Sequence, residues 1–277
     1  MSVLLHLSDT HFGTERPQVI EAVVALAARE RPDLAVLSGD ITQRARPGQF
    51  RAARAFVDRL GVPLLAVPGN HDIALVDLWA RAVRPYARYA RAFGADLEPV
   101  HASEDLLVVG VNTTRAWRHK NGELSPLQID RVADLLRKAR PQQLRVVVVH
   151  QPAAVCRPED RRHLLRGHHA ALQTWSAAGA DLVLGGHIHL PYTLAPPGLP
   201  RRLWVVQAGT AVSARTRPGV PNSVNIVRWG GGAGGHGADR QADDEERGDC
   251  VIERWDYAPD AQVFVRAALT RLAPERA

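Results

Sequence analysis

Short apolar runs alternate with amphipathic stretches through the first two thirds of this chain, and run after run stops on a polar residue. VLLHLS (3–8), DLAVLS (33–38) and PLLAVP (63–68) are too short for buried helices and read as strands. Between them, PQVIEAVVALAARE (17–30) and GQFRAARAFVDRL (48–60) repeat apolar residues at three- and four-residue spacing. Pro17 opens the first of these helices and Gly61 stops the second. The order is βαβαβ. Strands apolar at nearly every position, with helices between them, belong in a largely parallel sheet covered on both faces. That limits the chain to an α/β fold.

The alternation continues. A helical region covers about 74–93 and is broken by Pro85; DLLVVGVN (105–112) is a strand. SPLQIDRVADLLRKA (125–139) is a helix with Ser125 as N-cap and Pro126 at its first position. LRVVVVH (144–150) and DLVLGG (181–186) are strands around a helical stretch near 160–178. After 200 the helices stop. RLWVVQAG, NSVNIVRW, CVIERWDY and QVFVRAAL follow one another as strands, which predicts an antiparallel meander, either a second sheet or the extension of one. Between two of them GGGAGGHGADRQADDEERGD (230–249) is rich in glycine, then in acid, and predicts a flexible hairpin loop. The whole, residues 1–277, reads as a single domain.

Composition narrows the function classes. Of 277 residues, 45% are hydrophobic, enough for a sizeable core without covalent staples. The two cysteines, Cys156 and Cys250, form neither a disulfide framework nor a zinc ribbon. The N-terminal stretch has no basic segment and only a short apolar run broken by His6, so a cytoplasmic protein without membrane attachment is expected. The net charge of +6 admits a nucleic-acid partner. The positive charge is nearly all arginine, spread along helices, with lysine only at 120 and 138; a solvated surface is the plainer reading.

Five short motifs fall at strand ends: Asp9-Thr10-His11, Gly39-Asp40, Gly69-Asn70-His71-Asp72, His150 after VVVV, and Gly186-His187-Ile188-His189. In a parallel α/β sheet the C-terminal strand ends face one crevice. In extended backbone, residues two apart point the same way, so Asp9 with His11, and His187 with His189, are expected to reach one site. Asp9, His11, Asp40, Asn70, His150, His187 and His189 offer nitrogen and oxygen but no thiolate. Such donors suit a manganese, iron or zinc ion. His6, His101, His163, His168, His169 and His236 lack this spacing and read as ordinary structural or surface histidines. Asn112, Arg115 and His119, in and after the fourth strand, are candidate substrate contacts, as are Trp117, Arg118, Tyr192 and Arg215.

The set LSDTHFG, SGDITQ, PGNHD, VVVVHQP and GGHIHLPY resembles the calcineurin-like metallophosphoesterase superfamily. It is most similar to the branch holding class III cyclic nucleotide phosphodiesterases and glycerophosphodiesterases. The resemblance runs over roughly residues 3–212 and implies a four-layer αββα sandwich, two central sheets flanked by helices. It implies two divalent metal ions, one held by Asp9, His11, Asp40 and His189 and one by Asp40, Asn70, His150 and His187, with Asp40 shared. It further implies that a metal-bound hydroxide attacks a phosphodiester, with His71 stabilising the transition state or protonating the leaving alkoxide. Two divalent ions, two aspartates and one hydroxide leave such a site near +1, suited to a diester monoanion. In the protein-phosphatase branch an aspartate three residues after the shared carboxylate supports the catalytic histidine. Gln43 stands there in this chain, which argues against a protein phosphatase and leaves open what orients His71. The expectation is a metal-dependent hydrolase of small phosphodiesters such as cyclic nucleotides. The alternatives are a nuclease of the same superfamily and a non-catalytic binding module using the 230–249 loop.

Overall fold

A computed structural model describes residues 1–74, 77–118, 120–230 and 250–275. His119 and residues 231–249, most of the expected loop, lie outside the described residues. Two six-stranded sheets form the centre. In the first, β1 (Ser2–Leu7), β2 (Leu34–Leu37) and β3 (Leu64–Ala66) run parallel, with α1 (Pro17–Glu30) and α2 (Pro47–Leu60) as crossovers. Helices α3 (Leu78–Val83) and α4 (Ala87–Phe93) follow, separated by the turn that holds Pro85. In the second sheet β4 (Val100–Ala102) is an antiparallel edge beside β5 (Leu106–Gly110); β5, β6 (Leu144–Val148) and β7 (Leu182–Gly185) run parallel. Their connections carry α5 (Pro126–Arg137) and α6 (His168–Ala177). The Ser125 cap forms as expected, its hydroxyl accepting from the Gln128 amide.

The predicted meander needs one correction. β10 (Ser223–Trp229), β11 (Cys250–Ala258) and β12 (Val263–Leu272) are consecutive antiparallel strands, and β10 extends the first sheet beside β1. β9 (Trp204–Gln207) does not join them. It lies parallel to β7 in the second sheet, with the short strand β8 (Tyr192–Leu194) on its outer edge. The reason is its two apolar faces: Leu203 and Val205 pack under the helices, Trp204 and Val206 between the sheets. A strand apolar on both sides belongs inside a sheet.

The same alternation builds the layers. Leu5 and Leu7 of β1 face α1 and α2, while Leu4 faces the other sheet. Val147 of β6 faces α5 and α6, while Val146 and Val148 meet Val36 and Leu65 across the middle. Three apolar layers separate four structural layers, helix, sheet, sheet and helix, as the sequence resemblance implies. Both sheets therefore bring their parallel strands to one end, where the polar motifs lie.

Candidate metal centre

The loops that leave β1, β2, β3, β6 and β7 are laced together by backbone hydrogen bonds. The Asp9 amide donates to Gly39 O at 3.1 Å, the His11 amide to Asp40 O at 2.9 Å, and the Gly186 amide to His150 O at 2.9 Å. The backbone there is not extended. Asp9, His11, Asp40, His187 and His189 all have left-handed φ, between 40° and 74°. The paired side chains of Asp9/His11 and His187/His189 thus converge through tight left-handed turns and not through strand alternation. Such conformations cost an L-residue on the order of 1–3 kcal/mol each and persist where the surroundings impose them. Gly69 and Gly186 permit the crowding. A Cβ on Gly69 would collide with the Asp40 backbone, and one on Gly186 with Ser8 Oγ and the Asp9 carboxylate.

Two clusters result. Asp9, His11 and His189 form one; Asp40, His150 and His187 form the other. Asp9 Oδ2 accepts from Ser8 Oγ at 2.7 Å and from the His187 amide at 2.8 Å. Its Oδ1 is left 3.3 Å from His189 Nε2 and 3.7 Å from His11 Nε2. Asp40 divides its two oxygens between the clusters: Oδ1 is 3.2 Å from His150 Nε2, Oδ2 3.8 Å from His11 Nε2. His150 Nδ1 donates to Ser38 O at 2.8 Å, which fixes the tautomer and turns Nε2 toward Asp40.

The residues fit metal ions on three counts. Asp9 Oδ1, Asn70 Oδ1, His150 Nε2 and His187 Nδ1 are buried without a hydrogen-bond partner, a costly state for polar atoms unless something else meets them. Burial holds His11 and His187 well below the usual imidazole range, so both stay neutral and offer lone pairs. For His150, burial opposes charge but the Asp40 carboxylate outweighs it, raising the group to about 9. Asp40 is held well below its ordinary value: burial alone would raise it, and the His150 contact overrides that. The Asp40 carboxylate thus draws positive charge to this spot, and a bound cation would displace the His150 proton and supply that charge in its place.

His71 lies beside both clusters. Its amide donates to Asp40 Oδ1 at 2.8 Å, its ring meets the His11 ring edge-on at 4.9 Å, and its Nδ1 donates to Gln43 O at 2.9 Å. The Gln43 carbonyl therefore orients the ring, answering the question the sequence left open. Asp72 instead clamps the turn, accepting from the Gly69, Ile41 and Thr42 amides and from Thr42 Oγ1.

A cavity of about 510 Å³ opens over the centre, with Asp40, Asn70, His71, His187 and His189 in its lining. His163 is there too, its Nδ1 3.3 Å from His187 Nε2. The sequence reading placed it among the ordinary histidines; no spacing relates it to the other motifs, and only the fold brings it to the site. Arg215, left among several loop candidates by the sequence, also lines the cavity. Asn112 and Arg115 do not. Asn112 Oδ1 accepts from the Thr114 amide and hydroxyl, and Arg115 binds the Asn112 and Thr114 carbonyls and Gln128, holding the loop before α5. Trp117 is exposed, Arg118 pairs with Glu123, and Tyr192 donates to Ala154 O.

A four-layer sandwich carrying two adjacent N/O clusters, with one Asp40 oxygen toward each, is the architecture of a dimetal phosphoesterase. Residues 2–191 match the calcineurin-like phosphoesterase family, and the chain belongs to that family. It is 38% identical over 81 residues to a glycerophosphodiester phosphodiesterase of Enterobacter lignolyticus, a match covering 25% of this chain and 29% of that one. It is 25% identical to a probable cyclic nucleotide phosphodiesterase of Rhodococcus erythropolis (71% and 68% covered) and 26% identical to a cAMP/cGMP dual specificity phosphodiesterase of Mycobacterium tuberculosis (72% and 65%). Two of these three matches thus span less than two thirds of the relative's length. In fold the chain is similar to a dimetal phosphatase from Danio rerio, with a TM-score of 0.70, 14% identity and 99% of each chain covered. It is also similar to a purple acid phosphatase from yellow lupin, with a TM-score of 0.70, 10% identity and 98% of this chain and 53% of that one covered. Among the described residues no helix is long and apolar enough to cross a membrane.

Proposed function

We propose that the chain hydrolyses small phosphodiesters, cyclic nucleotides or similar compounds, at two divalent cations. One is held by Asp9, His11, Asp40 and His189, the other by Asp40, Asn70, His150 and His187. The observation that carries this reading is Asp40, whose two oxygens face two separate ligand clusters beneath one open cavity. The phosphodiesterase names of the relatives support the choice of diesters. When bound, two divalent ions neutralise phosphate oxygens and make water acidic enough to ionise near neutral pH.

The chain's own residues supply the rest. Asp9 and Asp40 cancel part of the cationic charge, leaving a centre suited to a monoanion. Ser8 and the His187 amide hold Asp9, and Ser38 O holds His150, so the ligand geometry is set before any ion binds. His71, fixed at Nδ1 by Gln43 O, presents Nε2 to the cavity; with a second proton on Nε2, as the imidazolium, it would stabilise the transition state or pass that proton to the departing alkoxide and return to the neutral ring.

The test is hydrolysis of bis(p-nitrophenyl) phosphate and 3′,5′-cyclic nucleotides by protein loaded with manganese, iron or zinc, with metal content measured in parallel. About two ions per chain and metal-dependent diester cleavage are expected. Bound metal with no diester cleavage overturns the substrate class, and protein that takes up no metal overturns the whole reading. Cleavage of DNA that falls steeply with salt would make the chain a nuclease instead.

A further inference from the structure

Arg215 and Arg217 lie on the same loop after β9 and line the same cavity, yet their surroundings differ. Arg217 is neutralised: its Nη1 donates to both Asp160 oxygens at 3.0 Å. Arg215 meets no carboxylate within ion-pair distance among the described residues. Its Nη1 donates to the neutral Gln43 Oε1 at 2.9 Å and stands 3.4 Å from His71 Nε2. Its main chain is fixed as well, since the Arg215 carbonyl accepts from His189 Nδ1 and from Thr210 Oγ1. The guanidinium is thus half-buried, oriented, beside the catalytic histidine, and still carries its full charge toward the cavity.

We propose that Arg215 binds the phosphate group of the substrate, its guanidinium donating to a non-bridging oxygen seated over the metal centre. The proposal rests on the phosphoesterase reading above and adds a residue to it. A planar, permanently charged fork suits a phosphate better than any other side chain. Gln43 makes this arrangement work. An amide oxygen orients the guanidinium without cancelling its charge, whereas a carboxylate at that position would form an ion pair and compete with the ligand. Because Arg215 adds one positive charge at the cavity, it strengthens the hold on a dianion, such as inorganic phosphate or a monoester, more than on a diester monoanion.

The experiment is calorimetric titration of inorganic phosphate into metal-loaded wild type, Arg215→Met, Arg215→Lys and Gln43→Glu, with metal content and near-UV circular dichroism measured on each. All four are expected to hold about two ions, because the carbonyl that meets His189 belongs to the backbone. Phosphate is expected to bind roughly ten- to a hundredfold more weakly to Arg215→Met and Gln43→Glu, with Arg215→Lys between them and wild type. Unchanged phosphate affinity in Arg215→Met overturns the proposal. Loss of metal from that variant also overturns it, because the side chain would then support the centre itself. If Arg215→Met does not fold, Arg215→Lys and Gln43→Glu decide, and wild-type affinity in both counts against it. If wild type binds phosphate but cleaves no diester, the substrate class fails while the phosphate affinities still decide the role of Arg215. If wild type binds no phosphate, the proposal falls.

Discussion

At the residue scale, neighbours in sequence have separate tasks. Asn70, His71 and Asp72 follow one another, yet Asn70 offers a buried unpartnered oxygen, His71 faces the cavity on the Gln43 carbonyl, and Asp72 ties two loops together. Substitutions should therefore separate binding from rate. Asp40→Ala is expected to lose both ions and all activity, because one of its oxygens faces each cluster. His71→Ala is expected to keep about two ions and lose roughly 10²–10⁴ in kcat on diesters with poor leaving groups. Metal analysis beside steady-state kinetics checks both, and metal loss in His71→Ala would place that histidine among the ligands. The residues that gather in the two clusters, and His71 beside them, were legible as motifs. His163 was not, and Arg215 stood only as one of several loop candidates, because each reaches the centre from a loop whose path depends on packing far from the motif.

At the element scale, the site depends on turns more than on strands. Where β1, β2 and β7 end the chain must bend at once, and Asp9, His11, Asp40, His187 and His189 adopt left-handed backbone to do so. Gly186 shows how little room is left. It follows β7, and a methyl group there would press on Ser8 and the Asp9 carboxylate. Gly186→Ala is expected to displace Asp9, reduce metal content below two ions per chain and lower kcat/KM by about 10² or more, since sub-ångström misplacement at such a centre is costly. Full metal content and activity in that variant would show that the turn can relax. The elements themselves were readable from periodicity and caps, including Ser125 and Pro126 at the start of α5. The edge strands β4 and β8, three residues each, were not, since so short a segment has no period of its own.

At the scale of the whole molecule, the space between the sheets is apolar but for a few groups near the site. His6, fully buried on β1, is one of them: Nε2 meets Ser38 Oγ at 2.9 Å and Nδ1 faces the Asn225 amide. Burial lowers it to about 3. The folded protein keeps His6 neutral while the unfolded chain takes up a proton below about 6.5, so stability is lost as pH falls between those values, by about 1.4 kcal/mol per unit at most. Urea unfolding of metal-free protein at pH 7.5 and 5.5 is expected to show a smaller acid loss, by about 1 kcal/mol, in His6→Gln than in wild type. Equal losses would mean that His6 is not held neutral. The amino-acid sequence by itself determined the alternation of strand and helix and the family, because periodicity and motif spacing are local properties of the chain. Only the tertiary structure decided that β9 lies beside β7, that the ligand pairs converge through left-handed turns, and that Arg215 and His163 join the centre. Those outcomes depend on which apolar face finds which layer and on how loops from two sheets lace together, and neither is written in any one segment.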